Sequence, residues 1–273
     1  MAHRRIGAAG AALVALAAAL LLWTALSFSP LSVALVIASL ALSGVSLWSC
    51  RTLLGPRSAL LFLASAVVLG WLAEEAGVTL GWFFGSYAYT DVLGPRLGAV
   101  PIVIPMMWFG LCYAGFVMAS LVLWRQPAPA DAGWKSGALA ALLAAMIVTA
   151  FDLGADPYFV YVLKAWTMAR TNGGWFGETV RGLEGWMLVS FVIVAVFQAI
   201  ARPRLAAGAR ATGRLAGLAP VLVYAAMIVF QVTMTQPVAL RVVAFFAMGI
   251  PALIAAAAWL QWAKPLEVAH DSR

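Results

Sequence analysis

Seven of the ten acidic residues in this 273-residue chain, Glu74, Glu75, Asp91, Asp152, Asp156, Glu178 and Glu184, fall in or beside two polar loops expected at one face of a membrane. Carboxyl groups next to hydrocarbon are costly to leave bare, so each needs a structural partner or a task. The task that suits them is proton transfer. A carboxyl in an apolar setting stays protonated and can donate, while a neighbour in a different setting stays ionised and can accept a proton or stabilise a cation. Asp152 and Asp156 are four residues apart and share one face if a helix runs through both. Pro157 leaves a second arrangement open, a helix end with Asp156 extended before the proline. The bland reading for any one acid is an ion pair with Arg96, Lys164, Arg170 or Arg181, or an interfacial cap. It fits Asp91, Glu178 and Glu184 better than Glu74 and Asp152, which are flanked by long apolar runs.

The first loop, about 77–101, mixes Gly and Pro with Trp82, Phe83, Phe84, Tyr87 and Tyr89, and its glycines at 77, 81, 85, 94 and 98 argue against a regular helix. It reads either as an aromatic belt at the bilayer interface or as a re-entrant loop lining a pocket for an apolar, electron-rich ligand. In the second, about 155–184, the part at 157–169 suggests a short helix lying along the interface, with Tyr158, Tyr161, Val162 and Trp166 among its apolar residues. Asn172-Gly173-Gly174 breaks it and Trp175-Phe176-Gly177 turns the chain back toward the bilayer.

The elements that must position these loops are long and oily. Hydrophobic residues make up 64% of the chain and charged ones 10%, against roughly 25% charged in a soluble domain. About eight stretches reach or approach the ~20 residues of a membrane span: 6–27, 30–49, 58–76, 102–124, 134–153, 185–201, 214–235 and 239–262. The expected fold is all-α, a polytopic transmembrane helical bundle forming one integral membrane domain over 1–273. With both termini cytoplasmic, Arg4, Arg5, Arg51, Arg57, Arg125, Lys135, Arg202, Arg204, Arg210, Arg214, Lys264 and Arg273 lie inside. Only Arg96, Lys164, Arg170, Arg181 and Arg241 lie outside. The net charge of +7 thus reads as a topology signal and an attraction to anionic lipid rather than as a nucleic-acid footprint. The first segment, opening on His3, Arg4 and Arg5, resembles a signal peptide, but its apolar run exceeds the usual ~7–15 residues and reads as a retained helix.

Several chemistries lack their residues. Cys50 and Cys112 cannot make a disulfide framework or a zinc site, and His3 and His270, the only histidines, sit in the tails, so histidine-ligated iron has no ligands. Lys135, Lys164 and Lys264 lie at helix ends or in loops, where a retinal Schiff base would need a mid-helix lysine. Aspartate-rich diphosphate motifs are missing, and no repeat between the halves suggests a transporter.

Three ordered blocks carry a family resemblance. They are Glu74-x-x-Gly77 with Gly81-x-x-Phe84-Gly85-x-Tyr87-x-Tyr89, Leu93-Gly94-Pro95 and Pro101; then Asp152-Leu153-x-x-Asp156-Pro157; then Phe176-Gly177 followed by Gly185-Trp186. Over about 70–200 the chain resembles the carotenoid-biosynthesis hydratases of bacteria and archaea, including the hydratase of γ-carotene-type substrates and the bisanhydrobacterioruberin hydratase. The family usually carries a proline and then an asparagine between Phe176-Gly177 and Gly185-Trp186, whereas 178–184 has neither; this bears on the end group more than on the fold.

The resemblance implies a cofactor-independent hydro-lyase of the cell membrane, multi-pass, that adds water to the terminal double bond of an acyclic carotenoid. Protonation at the less substituted carbon gives a tertiary carbocation, which water captures. Position and resemblance together single out Asp152 and Asp156 as the acid–base pair with Glu74 as third carboxylate, and Trp82, Phe84, Tyr87, Tyr89 and Trp186 as substrate-binding residues, with no metal. The implied partners are a carotenoid from the lipid phase, the membrane and other enzymes of the carotenoid pathway, with no nucleic acid. A carotenoid cyclase or isomerase using the same protonation is the nearest alternative. A non-catalytic carotenoid or lipid carrier or complex subunit is the next.

Overall fold

The computed structural model describes residues 8–130, 133–209 and 213–263. The expectations placed on His3, Arg4, Arg5, Arg210, Lys264, His270 and Arg273 lie outside the described residues. Helices dominate: α1 (Ala8–Ser27), α2 (Pro30–Leu80), α3 (Val103–Trp124), α4 (Trp134–Pro157), α5 (Val180–Ala201), α6 (Arg214–Met234) and α7 (Val238–Trp262). All 7 are long and apolar enough to cross a membrane, so the protein is a multi-pass helical membrane protein.

The 51 residues of α2 would span about 76 Å as one straight rod, far more than a bilayer needs. Gly55, at φ 84° and ψ 166°, breaks the rod in a conformation that favours glycine, and Pro56 after it contributes no N–H to the helix ladder. The two arms then run back along each other against α3. In the first arm the Ser43 hydroxyl donates to the Met106 carbonyl (3.1 Å) and Ser49 lies 2.7 Å from the Tyr113 hydroxyl. In the second, Phe62 packs edge-on against Phe109 and Tyr113, and Gly70 lies against the Trp108 ring. Counting each arm, the expected eight spans are present.

Helix α3 is the central staff. Trp108, Phe109, Tyr113 and Phe116 on it are fully buried, and Phe62 and Phe197 stack beside them with ring centroids 4.1 Å apart. Cys50 and Cys112 are buried and unpaired.

At the loop end of the bundle α5 begins at Val180 rather than 185, and two further differences from expectation shape the site. Helix α2 does not stop before Gly77 but continues to Leu80, and Gly81 at φ 68° caps it. Gly77 is therefore helical. Its missing side chain serves packing instead, since a Cβ there would lie 2.9 Å from the Tyr87 hydroxyl and 3.0 Å from the Phe84 ring. The second difference is at 157–169, which is not one interfacial helix. Helix α4 runs through Pro157 into a wide turn, Tyr158–Val162, and the chain then extends as β4 (Trp166–Met168). Strand β4 pairs antiparallel with β1 (Tyr87–Tyr89), setting Tyr87 opposite Met168 and Tyr89 opposite Trp166. An extended β1 exposes a row of unpaired N–H and C=O groups, and a partner strand satisfies them where a helix could not. A short hairpin of β2 (Arg96–Leu97) and β3 (Val100–Pro101) completes the first loop.

Candidate active site

The strand geometry of β1 explains why Tyr87-Ala88-Tyr89 matters. Side chains two apart leave a strand on the same face, so both tyrosines turn inward while Ala88 faces out. Both reach Glu74, in the last turns of α2. The Tyr89 hydroxyl donates to its Oε2 at 2.7 Å, the Tyr87 hydroxyl donates to the same oxygen, and the Trp108 indole N–H donates to Oε1 at 2.9 Å. Every partner is a donor, the set an anion calls for. Burial, and then the charge of Glu74, holds both tyrosine hydroxyls above their ordinary range, so they stay protonated and donating.

Across the chamber stands α4. It continues unbroken through Asp156, so Asp152 and Asp156 lie one turn apart on one face and the arrangement with a helix end before Pro157 does not occur. Asp156 accepts from the Trp166 indole at 3.0 Å. Asp152 is 1% exposed, yet its Oδ2 has no hydrogen-bond partner. The four carboxyls of Glu74, Asp152, Asp156 and Glu178 lie close enough to feel one another's charge.

Glu178 was the least expected member. Backbone pairing of Gly173 with Gly177 and of Trp175 with Glu178 folds 173–178 into a tight hairpin, and Glu178 at its end comes beside Asp156. Its carboxyl is 1% exposed and lies beside Asp156 and Tyr161, yet neither oxygen closes a hydrogen bond of normal geometry. Burial pushes this carboxyl above the usual range. Among the described residues, none of these four acids forms an ion pair.

The remaining loop-end acids have other partners or none in the site. Asp91 pairs with Arg96 at 2.9 Å, Glu75 accepts from the Ala99 N–H at 3.0 Å, and Glu184 is exposed.

Between Glu74 and Asp156 lies a cavity of about 40 Å³, lined by Phe84, Tyr87, Tyr89, Ile104, Met107, Trp108, Trp166, Met168, Gly182 and Trp186 as well as the two acids. That is room for about three waters or the tip of a chain. Its walls are rich in π faces: Trp108 and Trp186 lie 4.4 Å apart between centroids, and Trp166 stacks on Phe159 at 5.3 Å. Of the five aromatic residues singled out from the sequence, Phe84, Tyr87, Tyr89 and Trp186 line this cavity. Trp82 does not. It is 55% exposed and belongs, with Leu69, Ala73, Phe83 and Val189, to an apolar groove of about 340 Å³ between α2 and α5.

Sequence reasoning missed Trp108 and the site role of Trp166. The available signal for Trp108 was an indole N–H inside an otherwise apolar run, a donor that must find a buried acceptor. Among the described residues, no group of three or more His, Cys, Asp or Glu is arranged to hold a metal ion.

Two buried carboxyls, Glu74 and Asp156, thus face an aromatic-walled cavity at the loop end of a multi-pass helical membrane protein. The chain belongs to the family of carotenoid biosynthesis proteins, whose model matches residues 28–258, well beyond the ~70–200 stretch that carries the motifs. The protein therefore has a role in carotenoid biosynthesis. No curated protein and no solved structure matches it.

Proposed function

We propose that the protein is a carotenoid hydratase, a cofactor-independent hydro-lyase acting on the terminal double bond of an acyclic carotenoid drawn from the lipid phase of the cell membrane. The observation that carries this reading is the unequal state of neighbouring carboxyls at one aromatic cavity, which Glu74 and Asp156 line. Glu74 is saturated by three donors, while Asp152 keeps an oxygen free one turn from Asp156.

In the proposed cycle the Asp152–Asp156 pair supplies a proton to the less substituted alkene carbon. The π electrons form the new C–H bond and leave a tertiary cation at the neighbouring carbon. Glu74, held by its three donors, is the fixed counter-charge, and the faces of Trp108 and Trp186 add cation–π stabilisation of about 2 kcal/mol when desolvated. Water attacks the cation through oxygen and gives up one proton to the ionised member of the aspartate pair. Transfer of that proton within the pair resets the site, and the net change is one water added. Phe84, Tyr87, Tyr89 and Trp186 shape the chamber, and Trp82 stands at its lipid side. The Lys and Arg bias supports cytoplasmic termini and, with them, a chamber at the outer leaflet.

The test replaces Asp152→Asn and Asp156→Asn singly in a lycopene-producing host, with pigments analysed by chromatography and mass. The wild-type chain is expected to yield product heavier by one water, and both variants to lose it. Undiminished hydration by both variants overturns the assignment of roles. An isomeric wild-type product points instead to a cyclase or isomerase running the same protonation.

A further inference from the structure

Resting on the hydratase reading, the chemistry demands one water per turnover inside a chamber whose α2–α5 side is hydrocarbon. Buried polar atoms without a partner are uncommon in folded proteins and mark places where water or a ligand is held. The described residues contain nine such side-chain atoms, and four of them converge here: Asp152 Oδ2, the Tyr161 hydroxyl and both oxygens of Glu178. The other five belong to Arg96, Ser120, Ser190, Gln231 and Trp262; Asp152, Tyr161 and Glu178 do not line the 40 Å³ cavity themselves but stand beside Asp156, which does.

We propose that Glu178, with Tyr161, is the water-holding station of the site, taking water from the aqueous surface at the loop end and presenting it beside Asp156 to the cation. Position supports this. Thr171, Asn172, Gly174, Val180 and Arg181 around the hairpin are exposed, so Glu178 sits one layer beneath solvent while its own carboxyl is sealed. Close packing fixes the position of the hairpin. Gly177, at φ 98°, leaves no space for a Cβ next to the Tyr161 hydroxyl, and Gly173 leaves none next to the Glu178 carbonyl. The Glu178 carboxyl and the Tyr161 hydroxyl lie beside each other and beside Asp156 without closing a hydrogen bond of normal geometry, and together they supply the two to four partners that a held water requires. Arg181, three residues on in the chain, donates to the Gly81 carbonyl at 2.9 Å and forms no ion pair with Glu178.

Glu178 gains and loses no proton over the cycle. The water oxygen bonds to the cationic carbon and its proton goes to the aspartate pair, which makes Glu178 a positioning residue. If water fails to arrive, the cation can return a proton and re-form an alkene. In D2O that futile cycle leaves deuterium in the recovered substrate.

The experiment uses membranes from lycopene-producing cells expressing the full chain, resuspended in D2O buffer, with hydrated product and deuterium in recovered lycopene measured by mass spectrometry. Glu178→Leu is expected to lower hydrated product by about ten-fold or more, the effect of losing a partner for a buried polar group, while deuterium still enters the recovered lycopene. Glu178→Gln, whose amide still bonds water, is expected to stay within about three-fold of wild type, consistent with a small net hydrogen-bond difference. Hydration by Glu178→Leu at the wild-type level overturns the proposal. So does a parallel loss of hydration and exchange, which would make Glu178 part of the proton chemistry or the fold. Wild-type membranes giving neither hydration nor exchange would overturn the hydratase reading and this inference with it, a failure visible without any variant.

Discussion

Glu74 and Glu178 are the same side chain, both buried at the same end of the bundle, and the protein treats them oppositely. Around Glu74, two elements deliver three donors: two tyrosines from β1 and an indole from α3. Around Glu178 and Asp152, the nearest polar atoms leave three carboxyl oxygens without a hydrogen bond. A saturated carboxylate is rigid and committed to its partners, whereas an unsatisfied one can exchange protons or hold water at little structural cost. Under the proposed hydratase reading the difference separates an anchored counter-charge from a working surface, although nothing in the type of residue distinguishes them.

The largest effect expected from breaking that contrast is at the aspartates. Asp152→Asn or Asp156→Asn should lower hydrated carotenoid by about 100-fold or more, the usual contribution of a positioned acid or base, with the thermal midpoint in detergent nearly unchanged. Glu74→Gln should do the reverse in kind. Replacing a carboxylate that accepts three hydrogen bonds by an amide sets its NH2 against a donor, which should cost about 1–3 kcal/mol of stability. A lowered midpoint together with partial activity is the expected signature, and a Glu74→Gln protein with wild-type stability would remove the distinction between the two regions. A finer cut is Tyr89→Phe, which deletes one of the three donors and should shift stability by about 0.5–1.5 kcal/mol. The smallest effect is expected at exposed Glu184, where Glu184→Gln should change product yield by less than about two-fold, in line with surface substitutions.

Much of the frame could be read directly from residue order. The spans at 214–235 and 239–262 match α6 and α7 to within a residue, and the two segments at 30–49 and 58–76 are the two arms of α2 about Gly55. Asp152 and Asp156 were legible as one face because a helix of period 3.6 brings i and i+4 together. Gly77 misled because glycine has two uses, freedom of backbone and absence of Cβ, and here it is the second that packs Phe84 and Tyr87 against α2. The pairing of β1 with β4 was hidden as well: three-residue strands are too short to show a period, and their partner lies almost eighty residues away.

Membrane character, number of spans and candidate acids were decided along the chain, because hydropathy and helical period are sums over neighbours within one segment. Which acids meet, and in what state, was decided only in three dimensions. Trp108 reaches Glu74 across 34 positions, and Glu178 comes to Asp156 only through the 173–178 hairpin. Saturation of a carboxyl is a property of pairs, set by directional contacts a few ångströms long between segments that are remote in sequence, and no local pattern encodes it.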